Sequence, residues 1–336
     1  MTRLTKISAL AIAAIATLNA GQIQIGAGTA GADGLTQAYV ATPTAGSCRG
    51  AGLWDNGPLE NGCSTNTNAL NNRPYQANLF ASALPAAVVP ATPLTDAGNG
   101  NVQFARMNDG INNFWFTGNP TTSSNTITVS VGIYGVDKVW TMLNDYWGAV
   151  GKQNTTVDFL FDDSQDGLGG TSTAVTERIG LINGQQIRSS VNCTSGSGCP
   201  STVVAAGGSG QIATTLTSGP VNIISSTTGN TVAVTASQLF SAAYTSGATG
   251  RYANTAGNIV LDDQLFDFGG LHTSEYLVSI TIRSQLGAGQ TGTTGTSITR
   301  TSLSAITVNQ VPEPSTVFMA LAGLGAVGYF RRRRKA

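Results

Sequence analysis

Short segments rich in Val, Ile, Leu and Phe follow one another from residue 126 to residue 284, with Gly, Asn and Ser between them. In the first, "TITVSVGI" (Thr126–Ile133), apolar residues at every second position alternate with Thr, Ser and Gly. That is the period of a strand buried on one face. Many short strands separated by turn residues predict a mainly β protein with an antiparallel β-sandwich-like domain. The later segments are TTVDFLF, TERIGLI, QQIRSS, PVNIIS, TVAVT, NIVLDDQLFDF and EYLVSITIRS.

The segment Tyr134–Gly151, "YGVDKVWTMLNDYWGAVG", has a different pattern. Its apolar residues recur at steps of three and four, which predicts one short amphipathic helix that ends at Gly148. Three aromatic residues in it are of a type that stacks on sugars, but the spacing favours tryptophans that seal the helix against a sheet. These aromatic residues are Trp140, Tyr146 and Trp147.

The N-terminus begins with the cations Arg3 and Lys6, continues with the apolar run Ile7–Leu18, and then becomes rich in small residues. This order is typical of a secretory signal peptide, which we assign to residues 1–30. Small-x-small cleavage sites end at Ala30 and Ala32, and a looser one ends at Ala20. The pattern alone favours a cut near Ala30.

The C-terminus combines an uncharged run, Thr316–Phe330, with five cations directly after it. Counted from Ser315, the run predicts a transmembrane helix over 315–330. At about 1.5 Å per residue such a helix is about 24 Å long, which is short for a hydrocarbon layer of about 30 Å. The cations are expected to stay in the cytoplasm and to stop export; they are Arg331, Arg332, Arg333, Arg334 and Lys335.

The tripeptide Pro312, Glu313 and Pro314, followed by the apolar run and the arginine cluster, resembles the PEP-CTERM sorting signal of Gram-negative bacteria. The resemblance implies recognition by an exosortase, cleavage close to Pro312–Pro314 and loss of the helix. It also implies export through the Sec machinery, a transient stay in the inner membrane, and a final place at the cell surface or in the extracellular matrix. Association with exopolysaccharide and biofilm is part of the same implication.

The body from Tyr134 to Ile282 also resembles uncharacterised proteins that carry this signal. The resemblance rests on a "YG-V" start, an "LN.YWG" segment and a later "LD.Q.F" strand, and it implies no activity. The matching residues are Leu143, Asn144, Tyr146, Trp147, Gly148, Leu261, Asp262, Gln264 and Phe266.

Charge limits the partners of the exported part. From Gly31 to Glu313 there are ten basic and 17 acidic residues, a net charge of −7. This balance argues against nucleic acid and anionic membrane as binding partners. The predicted organisation is a signal peptide at 1–30, a loop-rich segment at 31–101, a β-rich domain at 102–288, a flexible spacer at 289–311 and the sorting signal at 312–336.

Four cysteines lie in the exported part: Cys48, Cys63, Cys193 and Cys199. An even number in an oxidising compartment favours disulfides, and proximity in sequence suggests Cys48–Cys63 and Cys193–Cys199. A zinc site is disfavoured because the chain has no Cys-x-x-Cys spacing and only one histidine.

Two acidic clusters are the candidates for chemistry. In "DDSQDGLGG", the residues Asp162, Asp163 and Asp166 resemble the first half of a calcium loop whose closing Glu is absent. An Asx-rich hairpin turn explains the same residues without a metal. The second cluster is Asp262, Asp263 and Asp267. With Asp162 and Asp166 it resembles the acid pair of a glycosidase, although the sequence does not give the distance between the carboxyl groups.

The single histidine, His272, has Ser274 and Asp267 near it in sequence. No nucleophile motif precedes it, so a catalytic triad is disfavoured. We therefore expect a non-enzymatic surface or matrix protein without a cofactor. The alternatives are a secreted polysaccharide-active hydrolase that uses Asp or Glu pairs, and a protein that stays anchored in the inner membrane.

Overall fold

The computed structural model describes twelve stretches of the chain: 21–25, 94–96, 98–104, 115–116, 125–146, 150–164, 174–189, 191–195, 203–204, 212–245, 256–284 and 300–311. The regular secondary structure within these stretches consists of β-strands, and no helix is present in them. The strands are β1 (Gly21–Ile25), β2 (Leu94–Asp96), β3 (Val102–Phe104), β4 (Trp115–Phe116), β5 (Asn125–Tyr134), β6 (Val136–Tyr146), β7 (Gln153–Asp162), β8 (Val175–Ile182), β9 (Val191–Ser195), β10 (Val203–Val204), β11 (Ile212–Ala213), β12 (Val221–Ile224), β13 (Thr231–Thr245), β14 (Ala256–Asp267), β15 (Tyr276–Ser284) and β16 (Arg300–Gln310).

Two antiparallel sheets make up most of this structure. The larger has the strand order β1-β16-β6-β14-β13-β12, with β4 also paired to β16 and β9 to β14. The smaller has the order β5-β15-β7-β8. The prediction of a mainly β, antiparallel protein is therefore confirmed. Two short pairs complete the set: the antiparallel hairpin β2–β3 and the parallel pair β10–β11.

Both sheets contribute to one buried apolar cluster. Phe159 of β7 packs against Phe266 of β14 with ring centroids 4.9 Å apart, and against Phe268 at 5.0 Å. Strand β5 shows how the sequence encodes this arrangement, because Val129 is buried while Thr128 and Ser130 on either side are exposed. The period-two pattern of the sequence thus marks the face that joins the cluster.

The predicted helix at Tyr134–Gly151 is wrong, because Val136–Tyr146 forms strand β6. This strand lies inside the larger sheet, between β16 and β14, and every residue from Val139 to Asp145 is buried. A strand covered on both faces has no polar alternation, so its apolar residues do not reveal a period of two. An irregularity in the pairing of β6 with β16, where Asn309 is opposite Lys138 but Gln310 is opposite Val136, also interrupts the alternation of faces along β6.

The structure also differs from three other predictions about secondary structure and segment boundaries. The predicted strand "QQIRSS" is a turn with isolated bridges at Ile187 and Ser189. The predicted spacer at 289–311 contains β16 in its second half, and β16 is paired on both sides. Strand β1 falls within the range assigned to the signal peptide. The described ranges contain no helix long and apolar enough to cross a membrane, and the predicted helix at 315–330 lies outside them.

The larger sheet splits between β6 and β14. These strands pair only from Gln264 to Asp267, and the start of β14 pairs with β9 instead. Beside the split, the amide of Gln264 accepts from Leu143 N at 3.1 Å and donates to Leu143 O at 2.9 Å. The amide oxygen of Asn144 accepts from Asp262 N at 3.0 Å. Side-chain amides thus replace the missing backbone ladder and satisfy buried backbone groups.

Candidate functional site

The last described strand leads directly to the Pro-Glu-Pro tripeptide. Strand β16 ends at Gln310, and Val311 N donates a hydrogen bond to Gly135 O at 2.7 Å. Gly135 N in turn donates to Glu275 O at 2.9 Å. The side chain of Gln310 donates to Tyr134 O at 3.1 Å. The chain is therefore held by the β5–β6 turn immediately before Pro312.

Gly135 is required at this turn for two reasons. Its φ of 72° lies in the left-handed region, which side chains other than glycine rarely adopt. A Cβ built on it would stand 2.8 Å from Val311 O, a backbone atom that moves only with the chain. The turn glycine is visible in the sequence between two β-patterned segments, but its partner is 176 residues away and no local signal reveals it. We call Gly135, Val311 and Gln310 the exit clamp.

His272 lies next to the exit clamp, in a buried polar cluster. Its Nδ1 is 2.7 Å from Glu275 Oε2 and its Nε2 is 3.0 Å from Glu177 Oε1. The ring stacks on Phe161 with centroids 3.9 Å apart. Both ring nitrogens therefore face carboxylates, and Ser274 is exposed. His272 is therefore paired with Glu275 and Glu177 in this arrangement.

Glu177 is held in its ionised form by this cluster. Burial alone would raise its pKa, but hydrogen bonds from Thr228, Asn230, Ser225 and His272 outweigh burial and lower the pKa. Glu177 lies on β8 and Asn230 precedes β13, so the cluster connects the two sheets. Its role in the described structure is to join elements.

The outward side of the smaller sheet carries hydroxyl and guanidinium groups. Thr128 Oγ1 and Thr281 Oγ1 are 2.9 Å apart on adjacent strands. Asp158 bonds to Arg178 Nε at 2.8 Å and to Arg283 Nε at 2.9 Å. Burial would raise the pKa of Asp158, but the hydrogen bonds from these two arginines lower it. We call this surface the hydroxyl face; it comprises Thr128, Ser130, Arg178, Thr281 and Arg283.

Two members of the second acidic cluster, Asp262 and Asp263, are fully buried. Asp262 is fully buried and forms a bidentate ion pair with Arg188, with Oδ1 at 2.7 Å from Nη2 and Oδ2 at 2.8 Å from Nε. Asn144 donates to the same Oδ2 at 2.8 Å. Arg188 also donates to Gln238 and to Thr214 O. Asp267, the third member, forms a partly exposed ion pair with Lys138.

Asp263 has different partners, Ser237 on β13 and Asn99 on the hairpin β2–β3. Ser237 Oγ lies 2.6 Å from Asp263 Oδ1 and also bonds to Asp96 Oδ2, while Asn99 donates to Asp263 Oδ2 at 2.9 Å. One hydroxyl has one hydrogen, so Ser237 donates to one carboxyl and accepts from the other. Burial, together with nearby Asp96, raises the pKa of Asp263 to about 8. Asp263 therefore holds the proton of this pair.

Asp96 is the ionised partner of the pair. Burial opposes its charge, but hydrogen bonds from Asp263, Ser237 and the backbone of the hairpin lower its pKa. Trp140 Nε1 donates to Asn99 O at 3.2 Å, which gives the hairpin a second attachment to the larger sheet. Sequence reasoning missed Asp96 because it is 141 residues from Ser237 and lies in a segment without a motif.

A third buried acid, Asp145, was also not singled out by its sequence. Its Oδ1 accepts from Thr155 Oγ1 at 3.1 Å and from Thr301 Oγ1 at 3.0 Å, and Oδ2 has no hydrogen-bond partner among the described residues. Burial raises the pKa of Asp145 to about 8, although the hydrogen bonds from Thr301 and Thr155 oppose the shift. It lies within the segment Tyr134–Gly151 that was predicted as a helix, and no motif there points to it.

The remaining predicted site residues are placed only in part. Asp162 accepts from Ser164 Oγ at 3.2 Å, which fits an Asx-type turn, whereas Asp166 lies outside the described residues. The described ranges contain no group of three or more His, Cys, Asp or Glu arranged to hold a metal, and the calcium site stays a prediction. Cys193 belongs to β9, and Cys48, Cys63 and Cys199 lie outside the described residues, so the disulfides also stay predictions.

The aromatic candidates for sugar stacking differ in what the structure describes. Trp140 is 4 % exposed and bonded to the hairpin, so its ring is not available to a ligand. Tyr146 ends β6, and Trp147 lies outside the described residues. The expectation that Trp140 has a packing role agrees with its burial, although it packs from a strand.

Comparison with known proteins identifies the C-terminus. Residues 310–335 match the family model of the PEP-CTERM protein-sorting motif, a range that begins at the last residue of β16 and includes Pro312, Glu313, Pro314, the apolar run and the cations through Lys335. No curated protein matches the chain, and the resemblance of the body to uncharacterised proteins with this motif stays a prediction. The chain thus carries a PEP-CTERM protein-sorting motif, which indicates an exported protein that is anchored transiently in the membrane and processed by an exosortase.

Proposed function

We propose that this protein is a surface or matrix component of a Gram-negative bacterium whose β-rich body is non-enzymatic. The observation that carries the proposal is the position of the sorting motif, which begins where β16 ends. The last strand of the domain is therefore continuous with the segment that the exosortase recognises. Cleavage close to Pro312–Pro314 would release the complete domain and leave the C-terminal run in the membrane.

The exit clamp supports cleavage directly after the folded domain. Val311 is bonded to Gly135 and Gln310 to Tyr134, so the first proline lies next to a fixed point of the domain. The two prolines lack backbone N–H groups and favour extended conformations at the residues before them. An enzyme in the bilayer would therefore meet an extended strip close to the body of its substrate.

The hydroxyl face supports exopolysaccharide as the partner of the body. Hydroxyl side chains and guanidinium groups bond to sugar hydroxyl and carboxylate oxygens. Arg178 and Arg283 have side chains 41 % and 34 % exposed, so their free N–H groups reach solvent while Asp158 holds them in place. Matrix association at the cell surface follows from such binding.

The interior partners of the acidic residues support a non-enzymatic body. Both oxygens of Asp262 are occupied by Arg188 and Asn144, and Asp263 bonds within the protein. A glycosidase needs two carboxyl groups that reach the scissile bond of a polymer. Asp262 and Asp263 are engaged with partners inside the protein, and this supports the non-enzymatic body over the hydrolase alternative.

Processing is tested by replacing Pro312, Glu313 and Pro314 together with alanine and following the size and location of the protein in its host. We expect the variant to remain full length and in the membrane fraction, while the wild-type protein is shortened at its C-terminus. A strain without exosortase should give the same result with the wild-type chain. Normal processing of the alanine variant would refute the role of the tripeptide.

Binding and activity are tested with the released wild-type protein and native exopolysaccharide. We expect co-sedimentation to weaken in the double variant Arg178→Gln and Arg283→Gln, and to persist in Lys152→Gln, which removes an exposed cation away from the hydroxyl face. Release of reducing ends that is lost in Asp162→Asn or Asp263→Asn would support the hydrolase alternative instead.

A further inference from the structure

Strand β1 is an integral part of the larger sheet. All five of its residues, from Gly21 to Ile25, pair with β16 in continuous antiparallel register. Ile25 is 7 % exposed and belongs to the apolar cluster, and Ile23 packs against that cluster. Because β1 pairs along its whole length and buries apolar side chains, it contributes to the stability of the folded protein.

Gln22 connects β1 to the hairpin β2–β3. Its side-chain oxygen accepts from Gln103 N at 3.1 Å, and its nitrogen lies 3.4 Å from Gly100 O. The same hairpin carries Asp96 and Asn99, which bond to β13 and β14. Loss of β1 would therefore remove one of the supports of this hairpin as well as the edge of the sheet.

The register places the start of β1 beside the end of β16. Gly21 is opposite Gln310, and Ile25 is opposite Ile306. The bond before Gly21 and the strip after Val311 therefore lie at the same end of the larger sheet. Two segments that enter the membrane during export, an N-terminal signal and the C-terminal apolar run, would leave the domain side by side.

We infer that signal peptidase cleaves between Ala20 and Gly21, so that Gly21–Ile25 stays in the exported protein as strand β1. A cut after Ala30 or Ala32 would separate β1 from every other strand of the sheet. Ala20 supplies the small residue that the peptidase requires before the cut, and it closely follows the apolar run that ends at Leu18. The inference rests on the proposed export of the chain.

The chemical step is hydrolysis of one amide. A water molecule adds to the carbonyl carbon of Ala20, the bond to Gly21 N breaks, and the products are a carboxylate on Ala20 and an amine on Gly21. The new amine would lie opposite Gln310. The signal peptide and the sorting motif are then removed from one end of the same finished sheet.

The inference is tested by denaturing mass spectrometry and N-terminal sequencing of the protein purified from its exporting host. We expect Gly21 as the first residue. A chain that begins with Gly31 or Asp33 would overturn the inference while leaving export intact. Met1 on a chain found in the membrane or outside the cell would also overturn it, and Met1 on a cytosolic chain would refute export as well.

Two matched variants locate the cut independently. Ala20→Leu should retain residues 1–20, whereas the double variant Ala30→Leu and Ala32→Leu should be processed as the wild type is. The reverse pattern would overturn the inference. A third variant, Ile25→Asp, should lower the Tm of the exported protein strongly compared with Ile25→Val. An unchanged Tm would show that β1 is absent from the exported protein.

Discussion

The carboxyl group of Asp145 is fully buried between Thr155 and Thr301, and its pKa is raised to about 8 by burial. An unfolded Asp has a pKa of about 3.9. Between these values the folded state binds one proton more than the unfolded state. The stabilising contribution is therefore complete below the unfolded pKa and is lost as the pH rises through the folded pKa.

Asp145→Asn should remove this pH dependence, because the amide keeps an acceptor for the two threonines and does not ionise. For the wild type, we expect the free energy of unfolding to fall by up to about 1.4 kcal/mol per pH unit from Asp145 within the window. Denaturant unfolding at about pH 5 and about pH 7 measures the slope. Equal slopes in the two proteins would contradict the assignment of the proton to Asp145.

The proton held between Asp263 and Asp96 also affects the stability of the fold. Its chain of hydrogen bonds passes through Ser237, so Ser237→Ala should leave two buried carboxyl groups without their common partner. We expect a loss of stability of about 1–3 kcal/mol. The control Ser130→Ala removes an exposed hydroxyl from β5 and should change stability by less than about 0.5 kcal/mol. Thermal or chemical unfolding compares the two, and equal effects would contradict the role of Ser237.

At the scale of elements, polar side chains decide how the strands are arranged. Gln264 and Asn144 bond to backbone groups where β6 and β14 separate, and this separation lets β14 pair with β9. Arg188, from the turn after β8, supports the same region through Asp262. The split is therefore a built feature of the sheet, because the side chains of Gln264, Asn144 and Asp262 all have hydrogen-bond partners there.

The turn between β5 and β6 provides the test at this scale. Gly135→Ala should displace Val311, because the new Cβ would stand 2.8 Å from Val311 O. Gly132→Ala is the matched control, since its φ of 68° is similar and a Cβ there would meet no atom within 4 Å. Both substitutions carry the strain of a left-handed alanine, about 1–2 kcal/mol.

Only Gly135→Ala should also slow the removal of the sorting motif, which immunoblots of membrane and external fractions would follow over time. We expect a several-fold smaller processed fraction than in Gly132→Ala. Identical processing of the two variants would mean that the exit clamp does not present the motif.

At the scale of the whole molecule, the first and last described strands close the sheet together. Strand β16 lies between β1 and β6, so the larger sheet is complete only when both ends of the described chain have been exported. Because β1 pairs with β16, which is far from it in sequence, the larger sheet cannot close until β16 is available. Strand β16 lies directly before the Pro-Glu-Pro tripeptide.

The cations after the apolar run should act on location and not on folding. Replacing Arg331–Arg334 with alanine should reduce membrane retention and processing, because fewer positive charges hold the C-terminus in the cytoplasm. Replacing the same four with lysine preserves the charge and should behave as the wild type. Fractionation measures retention, and protease resistance of the domain measures folding. Correct processing of the alanine variant would refute the role of the charges.

The sequence by itself determined the features that are written in consecutive residues. The Pro-Glu-Pro tripeptide, the apolar run and the cations are recognised as a linear motif, and the confirmed match covers the same residues. The strand at Thr126–Ile133 was also predicted correctly, because one of its faces is exposed and the alternation is complete. The sequence also indicated the acidic cluster Asp262, Asp263 and Asp267, although not the partners of its members.

Tertiary structure alone decided the features that depend on distant partners. Val136–Tyr146 is a strand because neighbours on both sides bury it, and burial on both faces removes the pattern that distinguishes a strand from a helix. Strand β1 exists because β16 pairs with it, and Asp263 is protonated because folding buries it and brings Asp96 to it. Strand pairing and burial depend on residues that are far apart in the chain, so no local sequence pattern predicts these features.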